Sequence, residues 1–264
     1  MNIFLNIMKV FSNFFEKNKN QEDSSTEHQL ENVINSLPKA ENKLDTAERI
    51  VEPVLPAKKV SATFEEKLKD RRAFASKEHD YGSRKWKDVT GICLHQTACN
   101  LGEKPARWDT VGCHVGVTRN GQVIWLHNFD RLIVHGNGWN KKTVGIEIDG
   151  MYEGVKGDIK TFWRDKSDKK SQPQNLTSET VAAVNQLIEF ICSEVEKAGG
   201  KIEYLVAHRQ ASENRRNDPG SEIWQMIAIP MSKKLSLSDG GDGFKIGSGY
   251  AIPREWDNRY KTKY

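Results

Sequence analysis

The stretch that most constrains this chain is residues 88–99, DVTGICLHQTAC. Residues 89 and 91–94 are small or apolar, which predicts a strand covered on both faces. Small and polar residues follow directly, so His95 is expected where this strand gives way to a loop. A single histidine in such a place is more often structural than functional. A second feature is therefore needed before His95 is given a role.

That second feature lies downstream, where residues 204–207, YLVA, predict another strand that runs directly into His208. The segment RQASENRRNDPG follows and brings Asp218 ten residues after His208. Two histidines at strand ends and one carboxylate match a three-ligand zinc site with an open fourth position. An aspartate before proline is also a common turn former, so Asp218 has a structural alternative.

These segments, with CHVGVTRNGQVIWLH at 113–127 and TVGIEIDG at 143–150 between them, resemble the zinc-dependent N-acetylmuramoyl-L-alanine amidases. That family includes phage amidase lysozymes, anhydro-muropeptide amidases and peptidoglycan recognition proteins. The likeness extends from about residue 85 to residue 229. It implies an α/β fold with a single mixed β-sheet flanked by helices and a zinc site at the strand ends. It also implies Zn²⁺ as cofactor, with His95, His208 and Asp218 as its ligands.

The resemblance implies two catalytic residues, Glu147 and Arg216. Glu147 lies in a mostly apolar segment, where a buried carboxylate is costly unless a charge is near; the family places this glutamate close to the metal, as general base. The alternative is a strand residue that faces solvent. Arg216 stands where many catalytic relatives have lysine, and either cation can stabilise an oxyanion. Cys113 replaces a tyrosine that assists catalysis in some relatives, which makes the chain depend on Glu147.

Three further residues are assigned to substrate binding by the same resemblance. His135 and Trp139 belong to a loop similar to the one that borders the substrate groove in the family. Trp139 has an equal alternative as a tryptophan at the edge of the core. His114 either packs under the sheet or contacts the site, and it is not assigned as a metal ligand. Asp149, two residues beyond Glu147, is given no role.

The remaining patterns predict a mixed sheet flanked by helices. Asn120-Gly121 indicates a hairpin turn between strands at 114–119 and 122–127. Further strands are predicted at 132–134 and 143–148. Helices are predicted at 64–74, at 176–198 with Thr177 or Ser178 as its N-cap, and from about Ile223 onward.

Composition sets limits on the domain organisation. The 264 residues suffice for one well-buried domain with appendages, and the net charge of +4 is compatible with an anionic cell-wall polymer but too weak to indicate nucleic-acid binding. The four cysteines show no CxxC pair and are expected to be reduced thiols. We predict an amphipathic segment at 1–16, a flexible linker at 17–60, a zinc amidase domain at 61–232 and a C-terminal extension at 233–264. Residues 234–264 of that extension are expected to form a flexible tail.

The N-terminal segment carries a helical apolar stripe of Phe4, Met8, Phe11 and Phe15. This stripe predicts either docking on the domain or a partner, or contact with a membrane surface. The segment lacks a basic start and a cleavage site, which predicts that it is not a secretory signal.

The predicted function is cleavage of the amide between N-acetylmuramic acid and L-alanine, by a phage-type lytic enzyme (endolysin) that is cytoplasmic before it reaches the cell wall. The predicted partners are peptidoglycan or muropeptides, and the predicted state is a monomer. Three alternatives remain open: a cytoplasmic enzyme that recycles anhydro-muropeptides, a non-catalytic peptidoglycan-binding module, and a structural or regulatory protein.

Overall fold

A computed structural model describes residues 64–163 and 170–264 of the chain. All of these residues belong to one compact unit. Its centre is a six-stranded mixed sheet in the order β1-β5-β4-β7-β3-β8, accompanied by a two-stranded antiparallel sheet of β2 and β6. The strands are β1 (Leu68–Asp70), β2 (Asp80–Ser83), β3 (Gly91–Gln96), β4 (Val115–Val117), β5 (Val123–Trp125), β6 (Arg131–Ile133), β7 (Thr143–Ile148) and β8 (Tyr204–Ala207).

Helices flank this sheet, as the sequence predicted. Two of them precede the last strand, namely α1 (Phe64–Lys67) and α2 (Ser178–Lys197). After β8 come α3 (Ser221–Ile223), a π-helical turn (Trp224–Ala228) and α4 (Ile229–Leu235), which confirms a helix near Ile223. No helix in residues 64–163 and 170–264 is both long enough and apolar enough to cross a membrane.

Strand β3 lies inside the sheet, with β7 and β8 as parallel neighbours on either side. All six of its residues are buried, which confirms a strand covered on both faces. Gly91 allows close packing where β3 begins, because a Cβ there would lie 3.1 Å from the Thr143 side chain and 3.2 Å from Tyr204, and these neighbours would have to shift. Three parallel strands therefore present their carboxyl ends at one edge of the sheet.

The predicted hairpin and the long helix are both confirmed. Strands β4 and β5 pair antiparallel, and Gly121 has a φ of +80° in the turn between them. Helix α2 is capped by Thr177, whose hydroxyl oxygen accepts a hydrogen bond from the Thr180 amide at 3.1 Å. It ends before Gly199, which has a φ of +86°. Its buried face joins the main core through Ala183, Val184, Leu187, Ile188, Ile191 and Val195.

The helix predicted at 64–74 is wrong beyond its first turn. Residues Leu68–Asp70 instead form β1, which pairs in parallel with β5. Leu68 packs against the core from this edge strand. Pairing with the sheet therefore overrides a local sequence pattern that also fits a helix.

The flexible tail predicted for residues 234–264 is also wrong. Ile252 and Trp256 are fully buried in the main core, and Ile246 and Ala251 are 6% exposed. The indole nitrogen of Trp256 donates a hydrogen bond to the Gly154 carbonyl. This segment therefore packs as part of the domain.

Residues 1–63 and 164–169 lie outside the described part of the chain, and so do the predictions made for 1–16 and 17–60. All four cysteines are free thiols, as expected: Cys93, Cys99, Cys113 and Cys192.

Candidate metal centre

The sheet brings His95 and His208 to the same edge. Strands β3 and β8 are paired in parallel up to Leu94 and Ala207, so the two histidines are the next residues on adjacent strands. The loop after β8 then returns Asp218 to this point. Its backbone is tied there, because the Arg209 amide donates to the Asp218 carbonyl at 3.0 Å.

Three potential ligand atoms converge at this edge. The Nδ1 atoms of His95 and His208 are 2.9 Å apart, and His208 Nδ1 lies 3.0 Å from Asp218 Oδ2. The distance from His95 Nδ1 to the same oxygen is 3.9 Å. The other carboxylate oxygen of Asp218 accepts a hydrogen bond from the Gln96 amide at 2.9 Å. The three residues predicted as ligands are thus brought together.

Hydrogen bonds at the outer ring nitrogens fix the tautomers of both histidines. His208 Nε2 lies 2.7 Å from the Asn137 side-chain oxygen and donates its proton there. His95 Nε2 lies 3.0 Å from His135 Nδ1, and His135 Nε2 lies 3.3 Å from the Thr143 carbonyl. Since that carbonyl can only accept, His135 donates to it and accepts from His95. In the neutral form of each ring, Nδ1 therefore keeps its lone pair directed into the site, as metal-binding histidines do.

This donor set fits Zn²⁺. Two imidazole lone pairs facing each other beside a carboxylate oxygen repel one another unless a cation lies between them. Two histidines and one carboxylate are a known catalytic zinc ligand set, which leaves a fourth position open. Cys93, His95 and His135 form a second group of potential ligands, but His135 is the hydrogen-bond acceptor that fixes His95.

The electrostatics of the site also favour a positive charge. Burial lowers the pKa of His208 to about 4, so this ring is neutral at pH 7. Burial alone would lower the pKa of His95, yet Cys93, Asp218 and Glu147 together raise it well above its usual value. Burial would raise the pKa of Asp218, but the close approach of His208 and then of His95 brings it well below the usual range.

Glu147 lies beside the three ligands. It is paired with His95 in the register of β7 and β3, and its Oε1 is 3.9 Å from His95 Nδ1. Its Oε2 is buried and has no hydrogen-bond partner among the described residues. Burial raises the pKa of Glu147 to about 7. A carboxylate with that pKa next to a site for activated water is suited to exchange protons near neutral pH.

The predicted cation, Arg216, packs against the C-terminal segment. Its guanidinium carbon is 4.8 Å from the ring centre of Tyr264 and 5.2 Å from that of Tyr250. Its catalytic role stays a prediction. Sequence reasoning missed Arg215. Burial raises the pKa of Glu147 and lowers that of His208, and the charge of Arg215 acts to lower both by a smaller amount. The tandem arginines before Asn217 were the available signal.

The three residues predicted to bind substrate lie inside the protein. His114 is fully buried; its Nδ1 accepts from the Gly145 amide at 3.0 Å and its Nε2 donates to the Arg131 carbonyl at 3.0 Å. His135 is 8% exposed and Trp139 is 4% exposed. This geometry gives no support to direct substrate contact by these side chains.

Two other carboxylate and amide side chains hold the surrounding loops. Asp149 is buried and accepts hydrogen bonds from the Leu101 and Gly102 amides at 2.8 and 2.9 Å, which makes it structural. Asn137, which sequence reasoning missed, has a φ of +55°, a conformation that asparagine tolerates better than most residues. Its place in the HGNGW loop was the only signal.

Comparison with known proteins places this geometry in a family. Residues 85–221 match the profile of the family described as N-acetylmuramoyl-L-alanine amidase. A search of curated proteins gave no match.

Solved structures similar to this chain include the N-acetylmuramoyl-L-alanine amidase LysC from Clostridium intestinale URNW, with 13% identity over 65% of this chain and 98% of that chain and a TM-score of 0.44. Bumblebee PGRP-SA has 16% identity over 65% of this chain and 96% of that chain, with a TM-score of 0.44. Drosophila PGRP-LB has 15% identity over 65% of this chain and 95% of that chain, with a TM-score of 0.45. Because the family profile matches more than half of its residues, this chain belongs to the N-acetylmuramoyl-L-alanine amidase family.

Proposed function

We propose that this protein is a zinc-dependent peptidoglycan hydrolase that cleaves the amide between the lactyl group of N-acetylmuramic acid and L-alanine. One observation carries the proposal: a complete set of three ligand atoms lies beside a partly buried carboxylate, Glu147, whose pKa burial raises to about 7. Family membership supports the choice of bond. A fold alone would not, since function belongs to the site.

The residues have distinct roles in this proposal. His95, His208 and Asp218 would hold the metal, which supplies a Lewis acid that activates water and polarises the amide carbonyl. Glu147 accepts a proton from the attacking water while the water oxygen forms its bond to the lactyl carbonyl carbon. When the carbon–nitrogen bond breaks, Glu147 returns that proton to the amine of L-alanine. Arg215 adds positive charge on the same side, which favours the ionised form of Glu147.

Within this family, we propose that the protein is a phage-type lytic enzyme that acts on the intact cell wall. The recycling enzyme is the second candidate, and purified sacculi separate the two, because a recycling enzyme would cleave only soluble anhydro-muropeptides. The non-catalytic binding module is the third candidate. The retained ligands and the position of Glu147 argue against it, since a binding module needs neither.

Digestion of purified sacculi tests the proposal. We expect release of free α-amino groups on L-alanine, no new reducing sugar ends, and no release by the His208→Ala variant. Release of reducing ends would indicate a glycosidase and contradict the assigned bond. Binding of sacculi and soluble muropeptides without any cleavage would favour the recognition module instead.

A further inference from the structure

The loop that carries Asp218 is buried at residues 208–212 and exposed only in its later part, at Glu213, Asn214 and Arg216. Between His208 and Asp218 the chain makes two short 3-10 turns, His208–Ala211 and Glu213–Arg215. A carboxylate ligand must be held closely to bind a metal well, because outer contacts set the orientation of the ligand. This loop has no regular helix or strand to hold it.

Arg209, at the start of this loop, is hydrogen-bonded to residues at its end. Its amide donates to the Asp218 carbonyl at 3.0 Å, and its guanidinium donates from Nη1 to the Arg216 carbonyl at 2.7 Å. Arg209 is 1% exposed and takes part in none of the ion pairs found among the described residues, although the charge of Glu255 favours its protonated form from further away. A buried guanidinium without a carboxylate must be stabilised in another way.

The C-terminal segment supplies that stabilisation. The guanidinium carbon of Arg209 lies 4.6 Å from the ring centre of Trp256 and 5.0 Å from that of Tyr264, which are cation–π distances. The Tyr250 amide donates to the Arg209 carbonyl at 2.8 Å. These aromatic residues lie beyond residue 221, where the match to the family profile ends.

Tyr264 also contacts the loop directly. Its hydroxyl donates a hydrogen bond to the side-chain oxygen of Asn217, the residue before the ligand Asp218. The Asn217 carbonyl in turn accepts from the Gln96 side chain at 3.0 Å. The Asn217 main chain is therefore held by Gln96 on β3. Its side-chain oxygen is held by Tyr264, and its side-chain nitrogen donates to the Thr161 carbonyl.

We propose that residues 250–264 form a clamp that positions Asp218 for metal binding. Tyr264 acts as a positioning residue through the Asn217 side chain, and Arg209, on the loop itself, acts as one through the loop backbone. The clamp is a feature of this chain outside the part matched by the family. The inference rests on the proposed metal centre and extends it to residues 250–264, none of which is a proposed metal ligand.

The test compares Tyr264→Phe with Tyr260→Phe. Both changes remove one hydroxyl from the same segment, but the Tyr260 hydroxyl is bonded to Asp239 and not to the ligand loop. Zinc affinity is measured by competition with a chromophoric chelator, and the ligand geometry by the visible spectrum of the Co²⁺-loaded protein. We expect Tyr264→Phe to weaken zinc binding by about 10-fold, the lower end for an outer contact of a metal ligand, and to change the spectrum. Tyr260→Phe should match the wild type in both.

A double-mutant cycle with Asn217→Ala tests whether the Tyr264 hydroxyl acts on Asp218 through Asn217. If the hydroxyl acts through Asn217, Tyr264→Phe should have no further effect on zinc affinity in the Asn217→Ala background. Additive effects would overturn the proposed route. Equal losses in Tyr264→Phe and Tyr260→Phe, or wild-type affinity in Tyr264→Phe, would overturn the clamp while the metal centre stands. A wild-type protein that binds neither Zn²⁺ nor Co²⁺ would instead overturn the proposed function.

Discussion

At the scale of single residues, Glu147 has the proposed role of general base. Replacement by glutamine keeps its size but leaves no group that can accept the proton of water. We expect Glu147→Gln to retain zinc and muropeptide binding and to lose roughly 10²–10⁴ in turnover, the usual contribution of a general base. Turnover and equilibrium affinity should be measured on the same muramyl peptide. Turnover near the wild-type value would remove Glu147 as the base.

The two adjacent arginines can be separated by their effect on pH dependence. Burial raises the pKa of Glu147, and the charge of Arg215 opposes that rise. Arg215→Ala should therefore raise this pKa further and move the acid limb of the turnover profile to higher pH, since the base must be ionised to act. Arg216→Ala serves as the matched variant and should leave the position of that limb unchanged. The same shift in both variants, or in neither, would contradict this assignment.

Arg216 keeps a separate prediction from the family pattern. If its cation stabilises the transition state, Arg216→Ala lowers turnover and Arg216→Lys remains active. Equal turnover in wild type and Arg216→Ala would assign it to packing against Tyr250 and Tyr264 alone.

The meeting of His95 and His208 could be predicted from sequence, because each lies at the end of a clear strand and parallel strands end at one edge of the sheet. The roles of the other histidines could not. His114 and His135 look equally available in sequence, and only the tertiary structure directs their ring nitrogens to backbone groups and to His95. Arg215 and Arg216 likewise differ only in the direction of their side chains. Neighbouring positions on an irregular loop carry no period from which that direction can be read.

At the scale of secondary-structure elements, His114 connects three strands. It directly precedes β4. Its ring accepts a hydrogen bond from the Gly145 amide of β7 and donates one to the Arg131 carbonyl of β6. Burial, and then the charge of Arg84, lowers the pKa of His114 well below 6.5. The unfolded chain, with a histidine pKa of about 6.5, therefore binds more protons in acid, so stability falls as the pH drops below about 6.5.

We predict how much His114 alone contributes to the pH dependence of the unfolding free energy. Metal-free protein should lose up to about 1.4 kcal/mol of unfolding free energy per pH unit through His114, below about pH 6.5. His114→Asn should be less stable at pH 7.5 and should show a shallower pH dependence. Urea unfolding at pH 7.5, 6.0 and 5.0 measures both slopes. Identical slopes in the two proteins would rule out His114 as the group that titrates.

Elements with a strong local signal were predictable, and elements defined by distant contacts were not. Helix α2 has a cap, an apolar stripe and a glycine after its end. The C-terminal segment has isolated apolar residues among polar ones, such as Trp256, and no period. Its burial depends on contacts with Gly154 and Arg209, which are far away in sequence.

At the scale of the whole molecule, the fold class was predictable because a mixed sheet flanked by helices follows from alternating strand and helix patterns. The arrangement of the C-terminal segment over the ligand loop was not, since nothing in a linear pattern relates residues 250–264 to residue 218.

The N-terminal residues give a prediction about domain organisation. Residues 17–60 contain too little apolar surface to form part of a packed core. Removal of residues 1–60 should therefore leave amidase activity on soluble muropeptides nearly unchanged, measured as turnover against the full chain. Loss of folding on truncation would show instead that these residues are a structural part of the domain.

The most direct test of the account is whether amidase activity depends on one metal ion held by His95, His208 and Asp218. Protein stripped by a chelator should lose activity on a muramyl peptide and regain it on addition of one equivalent of Zn²⁺. His95→Ala, His208→Ala and Asp218→Ala should each fail to retain the ion after dialysis. Metal content by elemental analysis and activity in the same samples give the answer. Full activity in a protein free of metal would contradict the account.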